Sequence, residues 1–298
     1  MFNIIGRSKI WLTVSALMIV AGLASWFSWG LNLNIDFTGG SLLEVSFSNG
    51  RPSVADMSQV IAADLPEASV QPAGDSGYIL RSKTLTEEEH QKVLTLLKDK
   101  FVDQGLREDR FESIGPIIGQ ELKTKSIWSI IIVLLAIIAY IAFAFRKVSR
   151  PVASWKYGVA AIIALIHDLL TAVGIYAFVS HFTGWTVDSL FITALLTILG
   201  FSVHDTIVTF DRIREILRNK NDLAFDQVVN QGINATIVRS INTSFTTFLV
   251  LLAIFLFGGE TIRHFVFTLM IGIVVGTYSS IFIASPILVI WNRLSNRG

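Results

Sequence analysis

The stretch Leu190-Phe-Ile-Thr-Ala-Leu-Leu-Thr-Ile-Leu-Gly-Phe-Ser-Val-His-Asp-Thr-Ile-Val-Thr-Phe210 decides the fold. It is long enough to cross a hydrocarbon core of about 30 Å, which takes about 20 helical residues. Its only charge is Asp205. Five more runs of the same kind flank it: Ile10–Trp29, Ile127–Phe145, Tyr157–Val179, Ile241–Phe257 and Phe265–Trp291. The 298 residues contain 24 Lys and Arg and 23 Asp and Glu, yet only Asp168 and Asp205 fall inside the six runs. With 52% hydrophobic residues, 16% charged residues and a mean hydropathy of +0.60, a single water-soluble globule is excluded. The fold class expected is an α-helical membrane protein with six transmembrane helices.

Charge placement orients the spans. With both termini inside, the cytoplasmic segments carry thirteen Lys and Arg, among them Arg146, Lys147, Arg150, Lys220 and Arg297, whereas the two short outer loops hold only Arg263. That asymmetry is the positive-inside signal. The first run exceeds the apolar core of a secretory signal and ends in Trp26, Phe27 and Trp29, so it reads as an uncleaved span. The expected division is residues 1–29 as N-terminus and first span, 30–126 as one extracytoplasmic domain, and 127–298 as spans two to six.

Within 30–126 the pattern is β-α-β-β-α-β. Leu42–Phe47 reads as a strand, and Ser53 with Asp56 opens a helix to about Leu65. Ser69–Ala73 and Tyr78–Ser82 form a hairpin about Gly74-Asp-Ser-Gly77. Thr86 and Glu89 cap a helix with Val93, Leu94, Leu97 and Phe101 on one face, and Arg110–Ile114 is the last strand. This order is the ferredoxin-like α+β arrangement.

An ionised carboxylate amid a spanning helix costs at least about 2.5–3.5 kcal/mol, so it faces a bundle interior or water. Asp168 lies beside His167 and three residues before Thr171. It fits either a proton site or a hydrogen bond that ties two helices. At 100° per residue Ser202, Asp205, Thr209 and Arg212 share one face of their helix, and His204 and Asp211 another. Arg239 precedes the fifth run, with Thr243 and Thr246 continuing its face and Asn242 close by. Alone it reads as an interfacial arginine; opposite Asp205 it makes a pair whose separation depends on protonation. The candidate proton relay is therefore Asp205, Arg239, Asp168, His167, His204 and Thr243. Gly39-Gly40 lacks the Lys-Ser/Thr of a nucleotide loop and reads as a tight turn at a strand start. The five histidines show no paired ligand spacing and there is no cysteine, so neither a metal nor another cofactor is expected. Gly272, Gly276 and Ser280 have the spacing of close helix packing, and Pro286 that of a kink.

Five motifs together closely resemble the SecF family, membrane subunits of the bacterial Sec protein-export machinery. They are Asn34-Ile-Asp-Phe-Thr-Gly-Gly40, Leu165-Ile-His-Asp168, Gly200-Phe-Ser-Val-His-Asp-Thr-Ile-Val-Thr-Phe-Asp-Arg-Ile-Arg-Glu215, Arg239-Ser-Ile-Asn-Thr-Ser-Phe-Thr-Thr247 and Leu256-Phe-Gly-Gly259. The resemblance covers nearly the whole chain. It implies a pseudo-symmetric partnership with SecD in a bundle related to the resistance-nodulation-division superfamily, association with the SecY-containing channel, and action on unfolded preprotein. It also implies location in the cytoplasmic (inner) membrane, in the lipid bilayer and without nucleic acid, and use of the proton gradient, with H+ as coupling ion and sodium left open. By motif position Asp205 matches the proton-carrying carboxylate, Arg239 its charged partner and Asp168 a third-span polar residue. The turn at Asp36, Gly39 and Gly40 joins the first span to the outer domain. One departure is His204, where the family commonly has Asn. Two readings from other classes are a passive scaffold and an intramembrane aspartyl hydrolase using Asp168 and Asp205 as a dyad.

Overall fold

A computed structural model describes residues 2–145, 153–219 and 223–295. Arg146, Lys147, Arg150, Lys220 and Arg297 of the charge count lie outside these residues. The elements run α1 (Ser8–Trp29), a single turn α2 (Ile35–Thr38), β1 (Gly40–Phe47), α3 (Val54–Asp64), β2 (Ser69–Ala73), β3 (Gly77–Ser82), α4 (Glu87–Lys100) and β4 (Leu106–Ile114). Long helices follow: α5 (Pro116–Ala144), α6 (Ser154–Thr183), α7 (Ser189–Asn219), α8 (Phe225–Phe257), α9 (Glu260–Ser279) and, after one π turn at Ser280–Ala284, α10 (Ser285–Ser295). Among the described residues six helical stretches are long and apolar enough to cross a membrane, with α9 and α10 forming the sixth. The protein is a multi-pass membrane protein.

Two compact units result. One comprises Asn32–Ile127 with Thr186–Ser189, the other the remaining, helical parts of the chain. In the first, four antiparallel strands lie in the order β2-β3-β1-β4. Leu43, Val45 and Phe47 alternate along β1 and meet Met57 and Ile61 of α3 and Val93 and Leu97 of α4 in the core. The Ser53 hydroxyl accepts from the Asp56 amide at 3.1 Å, starting α3. Thr86 and Glu89 cap α4 reciprocally, with the Thr86 amide donating to Glu89 Oε2 at 2.8 Å. That amide, joined by the Thr86 hydroxyl, holds the Glu89 carboxyl below the usual carboxylate range. Strand β4 begins at Leu106, four residues ahead of the expected Arg110. Arg107 and Asp109 are exposed and pair with each other at 2.6 Å, so the opening of the strand reads as loop.

In the helical unit α6, α7 and α9–α10 form the inside. Glycines set the spacing. A Cβ on Gly174 would fall 2.2 Å from the Gly22 Cα, so α1 and α6 cross with their backbones in contact. On α9, a Cβ at Gly272 would strike Ile198, and one at Gly276 would come within 2.9 Å of the Ser202 Cβ. The close-packing reading of Gly272 and Gly276 is therefore what the fold uses. The kink expected near Pro286 takes the form of the π turn, because Pro286 has no N–H to return to the preceding turn.

Candidate functional site

Asp168 is fully enclosed, and its carboxylate joins three helices. Ser202 of α7 donates to Oδ2 at 2.6 Å and Ser279 of α9 donates to the same oxygen at 2.7 Å. The other oxygen lies 3.0 Å from Nδ1 of His167, itself buried on α6. Ser279 is the last residue of α9 before the π turn. A π turn inserted in a helix commonly marks a functional position.

Asp205 is buried one helical turn after Ser202 on α7. Ser240 of α8 donates to its Oδ1 at 3.2 Å, and the Thr277 hydroxyl lies 3.4 Å from Oδ2. Thr277 also shares a short hydrogen bond with Ser244, one turn beyond Ser240 on α8. Both carboxylates thus sit on the seam of α7 and α9, where Ser202 and Asp205 from one helix face Thr277 and Ser279 from the other. Hydroxyls hold Asp205 and one oxygen of Asp168, His167 faces the other, and among the described residues no hydrogen bond joins the two carboxylates. A proton-sharing dyad needs its two carboxylates in direct contact, so the hydrolase geometry is not formed.

Three relay expectations change. Arg239 is exposed and, among the described residues, forms no ion pair with Asp205. Thr243 is exposed as well, and the residues that reach Asp205 and its partner Thr277 are Ser240 and Ser244. The buried stripe of α8 is Ile233, Thr236, Ser240 and Ser244, one residue out of phase with the stripe begun at Arg239. His204 points outward while Ser202, Asp205 and Thr209 point inward; Arg212, the fourth residue of that face, is exposed and pairs with Glu215 at 2.5 Å.

The Asp36 turn is more tightly built than a linker. Asn34 donates its amide to the Val187 carbonyl at 2.8 Å, Val187 to Asn32 at 2.7 Å, and the Ser189 amide to Asp36 Oδ2 at 2.8 Å. The Asp36 carboxylate therefore caps the first residue of α7. Gly39 and Gly40 adopt φ of +73° and +127°, and a Cβ on either would strike backbone, at Pro116 Cα (2.7 Å) and the Ser82 carbonyl (2.6 Å). Glycine is required at both by conformation and by space.

Residues 94–294 match the family model described as protein export membrane protein SecD/SecF, C-terminal, and residues 24–50 match the SecD/SecF GG motif. The GG match contains Asp36, Gly39 and Gly40. The protein translocase subunit SecF of Thermobaculum terrenum is 43% identical, covering 98% of this chain and 95% of its own length. That of Anaerolinea thermophila is 42% identical over 98% and 94%. The crystal structure of SecDF from Thermus thermophilus, a translocon-associated membrane protein, superposes with a TM-score of 0.85 at 30% identity over 98% of this chain. A SecDF structure in a super-membrane-facing form gives 0.71 at 29% identity. This chain spans 39% of each of those longer chains. These relatives are translocase subunits rather than enzymes, and the chain belongs to the SecF family of protein translocase subunits.

Proposed function

We propose that this chain couples the proton gradient across the bacterial cytoplasmic membrane to Sec-dependent transport of unfolded preprotein. In this reading it works with SecD beside the SecY-containing channel, and both termini are cytoplasmic. The unit built on residues 32–127 is then an extracytoplasmic ferredoxin-like domain, a designation its strand order supports. The carrying observation is that Asp168 and Asp205 are buried inside an apolar bundle and held by hydroxyls from neighbouring helices, rather than by a Lys or Arg.

An ionised carboxylate only accepts hydrogen bonds, whereas a protonated one must also donate. Protonating Asp168 therefore re-sorts its bonds to α7 and α9, and protonating Asp205 re-sorts those to α8 and α9. A hydrogen bond to a charged group is worth about 1.5–3 kcal/mol. One proton falling through 100 mV supplies about 2.3 kcal/mol. The two magnitudes match, so proton passage is able to switch helix contacts without a nucleotide or another cofactor. Arg239, on the outer face of α8, is then a group that a neighbouring subunit meets as the helices move.

Asp205→Asn tests this in membrane vesicles that carry the full complex. The expected result is loss of the gradient-dependent part of preprotein transport, with the ATP-driven part and SecD co-purification unchanged. An unchanged gradient response sinks the relay, and a fall in SecD recovery instead identifies a passive scaffold.

A further inference from the structure

We infer that the seam between α1 and α6 contains a water site that connects the outer half of the membrane to His167, and through it to Asp168. The inference rests on the proton-coupling reading for its purpose, but its physical content is separate. Beside the crossing of α1 and α6, whose backbones touch at Gly22 and Gly174, lies a cavity of about 240 Å3 bordered by Met18, Ser25, Thr171 and Phe178. A water occupies about 30 Å3 in the liquid, so there is room for several.

Room alone does not hold water; unsatisfied polar groups do. Thr171 is buried, lines this cavity, and its Oγ1 has no hydrogen-bond partner. His167, four residues earlier on the same helix face, is buried too, and its Nε2 has no partner while Nδ1 engages Asp168. Four residues of helix rise about 6 Å. One water at about 2.9 Å from each atom spans that gap. The groups line up as cavity, Thr171, His167, Asp168.

The path has one open end. From the level of His167 toward the N-terminus of α1, Ser15 donates to the Tyr278 hydroxyl at 3.2 Å, and Tyr278 donates to the Trp11 carbonyl at 2.8 Å. Trp11 packs against Phe282 with ring centroids 4.3 Å apart and the planes tilted by 38°. These contacts tie α1 to α9 and the π turn, while Ser25 and Phe178 place the cavity toward the ends of α1 and α6 that the proposed orientation puts outside. Asp168 therefore exchanges its proton with the outer side by way of His167 Nε2.

The chain has no cysteine, which makes single-cysteine labelling clean. The thiolate is the reactive form and forms poorly in hydrocarbon. In membranes that carry the full complex, Ser25→Cys and Thr171→Cys are expected to react with 2-(trimethylammonium)ethyl methanethiosulfonate on the order of tenfold faster than the outward-facing Ala24→Cys and Val20→Cys. Equal rates overturn the water site. Reaction only with the apolar benzyl methanethiosulfonate overturns it as well, by identifying a lipid chain in the cavity. Met18→Cys repeats the measurement where one variant fails to insert. For the connection to His167, Thr171→Val is expected to lower gradient-driven transport several-fold and shift its dependence on external pH, with Thr171→Ser restoring both; an unaltered pH profile in Thr171→Val removes the connection. Labelling reads water without reference to transport, so a dry cavity and a failed Asp205→Asn test are distinguishable results.

Discussion

Asp168 draws two hydroxyls onto one oxygen, and that is the strongest local commitment in the helical unit. Ser279→Ala removes one of the two donors while leaving Ser202 in place. With about 1.5–3 kcal/mol at stake for a hydrogen bond to a charged acceptor, the thermal midpoint of the detergent-solubilised protein should fall clearly. Ser280→Ala serves as the comparison, since that hydroxyl only returns to the Thr277 carbonyl at 3.0 Å, and should leave the midpoint near wild type. The two carboxylates were legible in the sequence because a charge in an apolar run is costly and therefore conspicuous. Their partners were not. A Ser or Thr in a membrane helix can satisfy itself on the carbonyl one turn back, as Thr206 does on Ser202 at 3.1 Å, so Ser240, Ser244, Thr277 and Ser279 carry no anomaly that marks them. Taking the phase of α8 from Arg239 rather than from its apolar residues placed Thr243 where Ser240 and Ser244 belong.

At the scale of elements, spacing between helices depends on single hydrogen atoms. Gly174→Ala forces a methyl group to within 2.2 Å of the Gly22 backbone, and neither helix axis can yield without unpacking the seam. A loss of about 1–3 kcal/mol, the usual cost of overpacking, is expected from chemical or thermal unfolding in detergent. Gly200→Ala is the counter-case: nothing lies within 4 Å of the added methyl, so the substitution should be neutral or stabilising by up to about 1 kcal/mol through helix propensity. From sequence both are merely glycines in apolar helices, because the contact that separates them is tertiary. The capped helices were legible for the opposite reason. The Ser53 and Thr86 caps form with residues three positions away, so local sequence contains the whole interaction.

At the scale of the whole molecule, burial is uneven among the six spans. In the most apolar windows of α1, α5 and α8 only 11%, 6% and 11% of the residues are buried, against 72% for the α9–α10 span. Exposed apolar side chains on these helices suit lipid, but Arg239 on α8 does not. Ser240, its neighbour, reaches the buried Asp205, and Arg239 stands at the edge of the apolar run, where a cation that meets neither water nor an anion is costly. His204 is exposed on α7 one residue before Asp205. A partner that covers this face with polar or acidic groups removes the cost, and the match to 39% of a longer SecDF chain indicates where such a partner comes from. Thr243→Cys, one turn beyond Arg239 on the exposed side, should therefore form disulfide-length crosslinks to single cysteines in the membrane helices of SecD when the two are co-expressed. Ser244→Cys, turned inward against Thr277, should not. Crosslinking from the inward position alone would mean that α8 is rotated in the complex, and that Arg239 reaches Asp205 only there.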